Sequence, residues 1–399
     1  MIEQARGKRR ARSAYVAAAG VFAVGMAGTT LPTPLYGLYR EQIGFSELVV
    51  TVVFAVYAIG VIAALLVAGD FSDVLGRRPV LLAALGLSLL SAVCFLLQDG
   101  LPLLFAGRLL SGFSAGLLSG AATAAVLELA PPELRARAGL AATAANMGGL
   151  GCGPLLSGIL AQYAPWPLRL PFLAHIALLL AAFAVTRALP ETVTLRSPRP
   201  PLRPQGMVVP PRTRAAFVPA GLAAFAGFSM LGLFTAVAPS FLALTLGERN
   251  LAVIGLVVFS VFCASTAGQM LMGRLGVRRA LPAGCLALTA GMAVVAASLV
   301  VESLPVLVVG ALVGGLGQGM SFRAGLTGVS AVAPEEHRGA TISAFFVVAY
   351  VGISVPVVGV GALTLALGLR DAGVAFAMYV ILVSAAVGVF LLRRPPRTE

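Results

Sequence analysis

The feature that most constrains this chain is a run such as VLLAALGLSLLSAVCFLL, residues 80–97, which carries no charge over eighteen residues. A second run, FAVYAIGVIAALLVA at 54–68, ends only eleven residues earlier. A helix of about 20 residues, rising 1.5 Å per residue, crosses a hydrocarbon core about 30 Å thick. Such runs recur along all 399 residues, of which 59% are hydrophobic and 11% charged. A water-soluble fold of this size needs charge on its exposed faces, and too little is available. In lipid each backbone amide must be satisfied within a helix or a closed barrel. The runs are continuous rather than alternating, so the pattern predicts membrane-spanning helices and excludes a barrel.

Twelve spans are predicted, at 14–38, 46–69, 79–97, 102–128, 137–162, 168–189, 215–245, 251–272, 280–300, 304–333, 339–366 and 372–392. The net charge is +13, nearly all of it arginine. In a soluble protein that would suggest nucleic acid; here its distribution sets topology instead, and no nucleic-acid partner is expected. With the amino terminus inside, the connections and tails on that side hold 22 basic residues. The other side holds four, Arg40, Arg169, Arg249 and Arg370. This asymmetry predicts both termini in the cytoplasm and a multi-pass protein of the cell membrane. The basic start MIEQARGKRRARS could be mistaken for a cleavable signal, but the eleven spans that follow favour a retained first helix.

The longest connection, ETVTLRSPRPPLRPQGMVVPPRTR, is rich in proline and arginine and reads as an extended linker. It divides the chain into a six-helix bundle at 1–190, a cytoplasmic linker at 191–214 and a second six-helix bundle at 215–399. The halves look related. A shift of 203 residues lays AGRLLSGFSAGLLSG on VGALVGGLGQGMSFR without a gap, and puts Gly149 on Gly352, Glu133 on Glu336 and Arg135 on Arg338. Two pseudo-symmetric six-helix bundles are a common plan for secondary transporters.

Between the two opening runs lies GDFSDVLGRRP, residues 69–79, dense in charge. Gly69 permits close helix approach and Gly76 a tight reversal. Asp73 stands where a helix N-terminus offers positive potential, and Arg77 and Arg78 can donate to carboxylates at neighbouring helix ends, such as Glu128. A basic turn obeying the positive-inside rule would explain the arginines but not Asp73 or the glycines. This stretch resembles the signature loop of the major facilitator superfamily, with Val74 where an arginine is usual. The resemblance covers the whole chain through its spans, linker and repeat. It implies that Asp73 binds the start of span 11 and latches the cytoplasmic side while the outside is open. The second copy, near GRLGVRR at 273–279, is degraded, with Met272 where an acid would stand.

Two further stretches resemble motifs of the drug:proton antiporter branch of that superfamily. The first, in span 4, is Leu104-xxx-Arg108-xx-Ser111-Gly112. Arg108 lies roughly seven residues inside the outer end, about 10 Å deep, where an arginine is costly unless it faces a cavity or a partner. Snorkelling to the interface is the bland alternative. The second, in span 5, is Gly149-xxx-Gly153-Pro154-xx-Ser157-Gly158. Its glycines make a flat contact face, and Pro154 frees a backbone carbonyl and kinks the helix. The second resemblance implies export rather than import, with protons as the coupling ion.

Other polar residues inside spans are few. His175 lies at a depth matching Arg108 and either bonds a backbone carbonyl or carries a proton. Arg323 lines the inner vestibule or snorkels, and the sequence does not separate the two. No Asp or Glu sits in the middle of any span, so cargo is expected to be neutral or weakly anionic rather than cationic. Pocket candidates from the inner spans are Tyr36, Tyr57, Phe113, Asn146, Phe228, Phe234, Gln269, Gln318 and Phe345, although most membrane aromatics simply pack. Cys94, Cys152, Cys263 and Cys285 lie within the runs without disulfide or metal spacing and are expected to be buried. No metal and no cofactor is called for.

The expected function is proton-coupled efflux of a small amphiphilic molecule by alternating access, performed by a monomer in the lipid bilayer. Import or uniport of a sugar or other metabolite fits the same fold. An ATP-driven pump would need Gly-Lys-Ser/Thr, and the one lysine, Lys8, precedes Arg9. An enzyme would need a nucleophile–base or metal cluster, but the only histidines, His175 and His337, fall in different halves.

Overall fold

Uncharged runs this long have no way to satisfy their amides in lipid except by coiling, and the computed structural model is helical throughout, with no strand among the described residues. It describes residues 2–69, 71–194 and 206–393. In chain order the first half holds α1 (Ile2–Thr30), α2 (Tyr36–Ile43), α3 (Glu47–Ala68), α4 (Phe71–Leu75), α5 (Arg77–Leu96), α6 (Leu101–Leu129), α7 (Arg135–Tyr163) and α8 (Leu170–Ala188). The second half holds α9 (Arg214–Gly232), α10 (Ala238–Leu244), α11 (Leu251–Leu275), α12 (Val277–Val301), α13 (Leu304–Val332) and α14 (Arg338–Arg393).

Among the described residues, eleven segments are long and apolar enough to cross a membrane. One of them contains α14, whose 56 residues would reach about 84 Å as a straight helix, far more than a bilayer core. It breaks at Gly368, whose φ of 79° lies where residues with a side chain are strained, so α14 supplies two crossings and the total is twelve. Spans 1 and 7 differ from their predicted limits. Span 1 continues through a short 3-10 turn into α2 as far as Ile43. Span 7 is interrupted by a π-type stretch, Leu233–Val237, between α9 and α10. Pro239 lies just beyond it and cannot donate to the preceding turn, which favours the looser winding there.

Lipid removes the hydrophobic drive between helices, so close contact depends on small residues that let backbones touch. A methyl on Gly112 would collide with Tyr57 O, one on Gly268 with Leu316 O, and one on Gly319 with Ser265 O. Large apolar side chains such as Ile59, Leu90 and Leu180 point outward instead, as a lipid solvent allows. The expectation that all four cysteines are buried fails for the same reason. Cys285 is buried and Cys94 half-buried, but Cys152 and Cys263 are exposed on the lipid-facing surface.

Within the first half α3, α5 and α7 pack around α6 and α1; within the second, α11, α12 and α14 pack around α13 and α9. The halves meet chiefly along two seams, α7 against α11 and α3 against α14. The internal repeat exchanges these seams, since it maps α3 onto α11 and α7 onto the first part of α14. The connections α3–α5, α6–α7, α11–α12, α13–α14 and α8–α9 all emerge on one face, the arginine-rich one. Residues 195–205 of the proline-rich linker, and Asp70, lie outside the described residues.

Candidate functional site

Between the halves lies a cavity of ≈ 490 Å³. It begins at mid-depth with Met26 of α1, Tyr57 of α3 and Phe228 of α9, and extends to Leu127, Gly139 and Leu326, near the arginine-rich face. At its apex Tyr57 from one half meets Tyr350 from the other edge-on, with ring centroids 6.3 Å apart. The wall is mostly aromatic and aliphatic, dotted with threonines, Asn146 and Gln269, and among the described residues it carries one charge, Arg323. Apolar walls with a few placed polar groups are what a small amphiphile needs.

The opposite face is sealed by contacts between the halves. Ser240 Oγ donates to Glu47 at 2.9 Å, and Glu47 is also paired with Arg40. Asn250 Nδ2 donates to Tyr163 Oη at 3.1 Å, and the backbone N–H of Leu251 donates to Gln162 Oε1 at 2.9 Å. Below them the seam is backbone-tight, because methyls on Gly158 and Gly255 would strike Leu251 O and Pro154 O. On the α3–α14 seam Gly361 abuts the side chain of Thr51. The molecule is therefore open at one face and shut at the other.

The signature loop stands beside the open mouth. Gly76 turns the chain at φ 103°, and Arg77 begins α5. Arg77 Nη2 donates to Glu128 at 2.8 Å, its Nη1 donates to Ser72 Oγ at 2.7 Å, and Asp73 pairs with Arg77 at 2.6 Å. Asp73 sits in α4 with its side chain 60% exposed and makes no described contact with the start of α14. Gly69 follows α3 with ordinary helical dihedrals. Glu191, absent from the sequence-based candidates, is central here. Its two oxygens accept from the backbone N–H groups of Arg77 and Arg78 at 2.9 and 3.0 Å. A carboxylate in that position satisfies orphan donors at a helix N-terminus and complements its dipole. A methyl on Gly76 would come within 2.7 Å of Glu191 Oε2, so the glycine makes room for the carboxylate as well as the turn. The neighbouring Thr192 hydroxyl donates to Glu128, tying the start of the linker to α6. The signal available was the acid just past α8, in reach of a neighbouring helix start.

Arg108 is wholly buried in α6 and does not line the cavity. Its Nε donates to Tyr36 Oη and its Nη1 to Thr29 O, each at 2.5 Å. The guanidinium lies 5.1, 5.7 and 5.8 Å from the ring centroids of Tyr36, Phe54 and Phe95. Cation–π contacts and two acceptors hold a cation that is neither snorkelling nor ion-paired within this group. His175 is buried one element away, beside Gly28 of α1 and Ser88 of α5. Neither ring nitrogen has a hydrogen-bond partner among the described residues, which does not support the carbonyl-bonded reading.

In α7 the span-5 glycines serve as contact points: Gly149 faces Ala23 O and Gly153 faces Ala27 O, both on α1. Pro154 has no N–H for Leu150 O, and Thr30 Oγ1 of α1 donates to that carbonyl instead, at 2.6 Å. The second half repeats the device. Pro356 of α14 leaves Gly352 O without its helical partner, and Ser229 Oγ of α9 lies 2.9 Å from it, sharing its one hydrogen with Phe225 O at the same distance.

Of the pocket candidates, Tyr57, Asn146, Phe228 and Gln269 are on the cavity wall. Tyr36 holds Arg108, Phe113 lies on the α3–α6 contact beside Gly60, and Phe234 is buried in the π-type stretch. Gln318 accepts from Ser265 Oγ at 2.7 Å, and Phe345 belongs to a ring cluster with Phe217, Phe322 and Phe346. Thr29, Phe54, Phe322, Phe346 and Tyr350 are wall residues that apolar patterning alone does not distinguish from packing.

The model of the Major Facilitator Superfamily matches residues 17–354. A multidrug transporter MdfA of Escherichia coli O157:H7 is 28% identical over 242 residues, covering 59% of this chain and 58% of that protein. A multidrug resistance protein MdtL of Escherichia coli (strain K12 / DH10B) is 37% identical over 84 residues, 21% of this chain and 22% of that one. The matched stretches thus span well under two thirds of these curated relatives. Among solved structures, a bacterial homologue of the human lysosomal transporter Spinster, inward-facing and unoccupied, superposes with a TM-score of 0.73 at 14% identity, over 98% of this chain and 99% of that one. The human organic anion transporter MFSD10 (TETRAN) gives 0.67 at 17% identity, over 94% and 99%. These two likenesses speak to the fold. With twelve crossings, two repeat-related seams and a family match over most of its length, the chain belongs to the major facilitator superfamily.

Proposed function

We propose that this protein is a proton-coupled exporter of small neutral or weakly anionic amphiphiles, working as a monomer in the cytoplasmic membrane. The observation that carries the reading is the cavity between the halves, open at one face and closed at the other by contacts that cross both seams. Such a site changes access when one half rocks against the other. The positive-inside rule makes the arginine-rich face cytoplasmic and places both termini there, so the form described here admits cargo from the cytoplasm. Efflux is favoured over import by the proline–glycine face of α7 and by relatives named as multidrug transporters. No acid stands among the described residues of the cavity wall, which disfavours lipophilic cations.

Asp73 is the proposed latch: it is exposed while the mouth is open and engages the start of α14 when the mouth closes. Everted membrane vesicles test the reading. With an acid interior they should accumulate a fluorescent neutral or weakly acidic amphiphile, and a protonophore should abolish the accumulation. Uptake indifferent to the gradient, or movement only in the opposite direction, would overturn export in favour of uniport or import.

A further inference from the structure

We propose that Arg323 and Gln269 form an anion-binding subsite on the cavity wall, which takes the carboxylate of an aromatic or otherwise apolar monoanion. The proposal deepens the reading of the cavity as the cargo site and rests on it.

Among the described residues of the cavity wall, Arg323 is the one that is charged. It is half-buried in α13, where its Nη1 donates to the backbone oxygen of Gln269 in α11 at 2.9 Å. That bond fixes the guanidinium against α11 and leaves other N–H donors of its planar fork for a ligand. Gln269, also a wall residue, is 5% exposed, and its Nε2 is buried with no partner among the described residues. An unmet donor there costs free energy until something accepts from it. The Arg323 cation, joined by the Gln269 amide once that side chain turns to the cavity, suits a carboxylate, which accepts at both oxygens and gains from the positive charge. Glu128 and Asp73 at the mouth are engaged with Arg77.

Beside these donors the wall is aromatic. Phe322, the residue before Arg323, lies 5.1 Å from Phe228 and 5.9 Å from Phe346 between ring centroids, and Phe228 lies 5.7 Å from Tyr350. A flat apolar body would rest on these rings with its charge directed at Arg323. Arg108 lies behind Thr29 and Phe54 and adds positive potential from the first half. The same field opposes a cationic ligand of equal shape.

The test uses three probes that share one ring system: naphthoate, naphthamide and naphthylmethylammonium. Binding to the purified full-length protein in nanodiscs is measured by calorimetry. The expected order is naphthoate first, naphthamide about tenfold weaker, a difference of about 1.4 kcal/mol, and the ammonium weakest. Arg323→Gln should bring the naphthoate-to-naphthamide ratio close to one while naphthamide binding persists, which also reports on folding. Arg323→Lys should keep part of the preference, and Gln269→Leu should weaken naphthoate several-fold. Equal binding of acid and amide by the unaltered protein, a ratio unchanged in Arg323→Gln, or no naphthoate binding at millimolar concentration would each overturn the subsite. Vesicle transport is read separately, so loss of export and loss of anion preference are distinguishable results.

Discussion

Single residues in this molecule are held by demands that differ from those of a soluble protein. Gly76 both adopts a left-handed φ and leaves space for the Glu191 carboxylate. Gly76→Ala should therefore cost about 1–3 kcal/mol, read as a lowered melting midpoint of the purified protein. Glu191→Ala should cost about 0.5–2 kcal/mol through the lost cap on α5, and Glu191→Gln rather less. If Gly76→Ala melts like the unaltered protein, the seat described for Glu191 is wrong. His175 presents the opposite situation, with two buried nitrogens and no partner. His175→Leu should raise stability by about 1 kcal/mol by removing unmet polar atoms, and gradient-driven efflux should continue. Loss of coupling with binding intact would instead identify His175 as a proton carrier.

At the scale of elements, prolines and hydroxyls act as matched parts. Pro154 opens a gap in α7 that Thr30 of α1 fills, and Pro356 opens one in α14 that Ser229 of α9 fills. Thr30→Val and Ser229→Ala should each cost about 1–2 kcal/mol in thermal unfolding. In a Pro154→Ala background the helix supplies its own N–H to Leu150 O, so Thr30→Val should there be nearly neutral. The double-mutant cycle measures that coupling, and additive effects would refute it. Much of this level is legible in the sequence. Uncharged runs mark the spans because lipid demands it, and Gly149, Gly153 and Pro154 announce a contact face by spacing alone. The partners of these residues are not legible, because a threonine in a span reads the same whether it faces a carbonyl or lipid. For the same reason Tyr36 and Phe345 pass for pocket residues, although one holds Arg108 and the other packs among rings. Glu191 escapes notice because its role depends on where α8 ends relative to α5, which no local pattern encodes.

For the molecule as a whole, the polar contacts at the closed face and the paired seams must balance the contacts available at the other face, since a transporter needs both forms populated. Glu47 and Ser240 link the halves at the closed face. Glu47→Ala with Ser240→Ala should shift the population toward the form open at that face. Hydrogen–deuterium exchange should then quicken across 34–46 and 238–250 and slow across 128–138 and 327–338. Unchanged exchange would assign the seal to the glycine-lined seams alone.

Cys152 and Cys263 carry a practical consequence of the α7–α11 seam. Gly151 lies against Phe259 and Phe262, so the thiols that follow it and Phe262 flank the contact from opposite halves, and both are exposed. Spin labels on this natural pair, with Cys94 and Cys285 replaced, would act as a molecular ruler laid across the moving joint. Their separation, followed through a transport cycle by pulsed resonance, would record how far the two bundles rotate without any engineered cysteine.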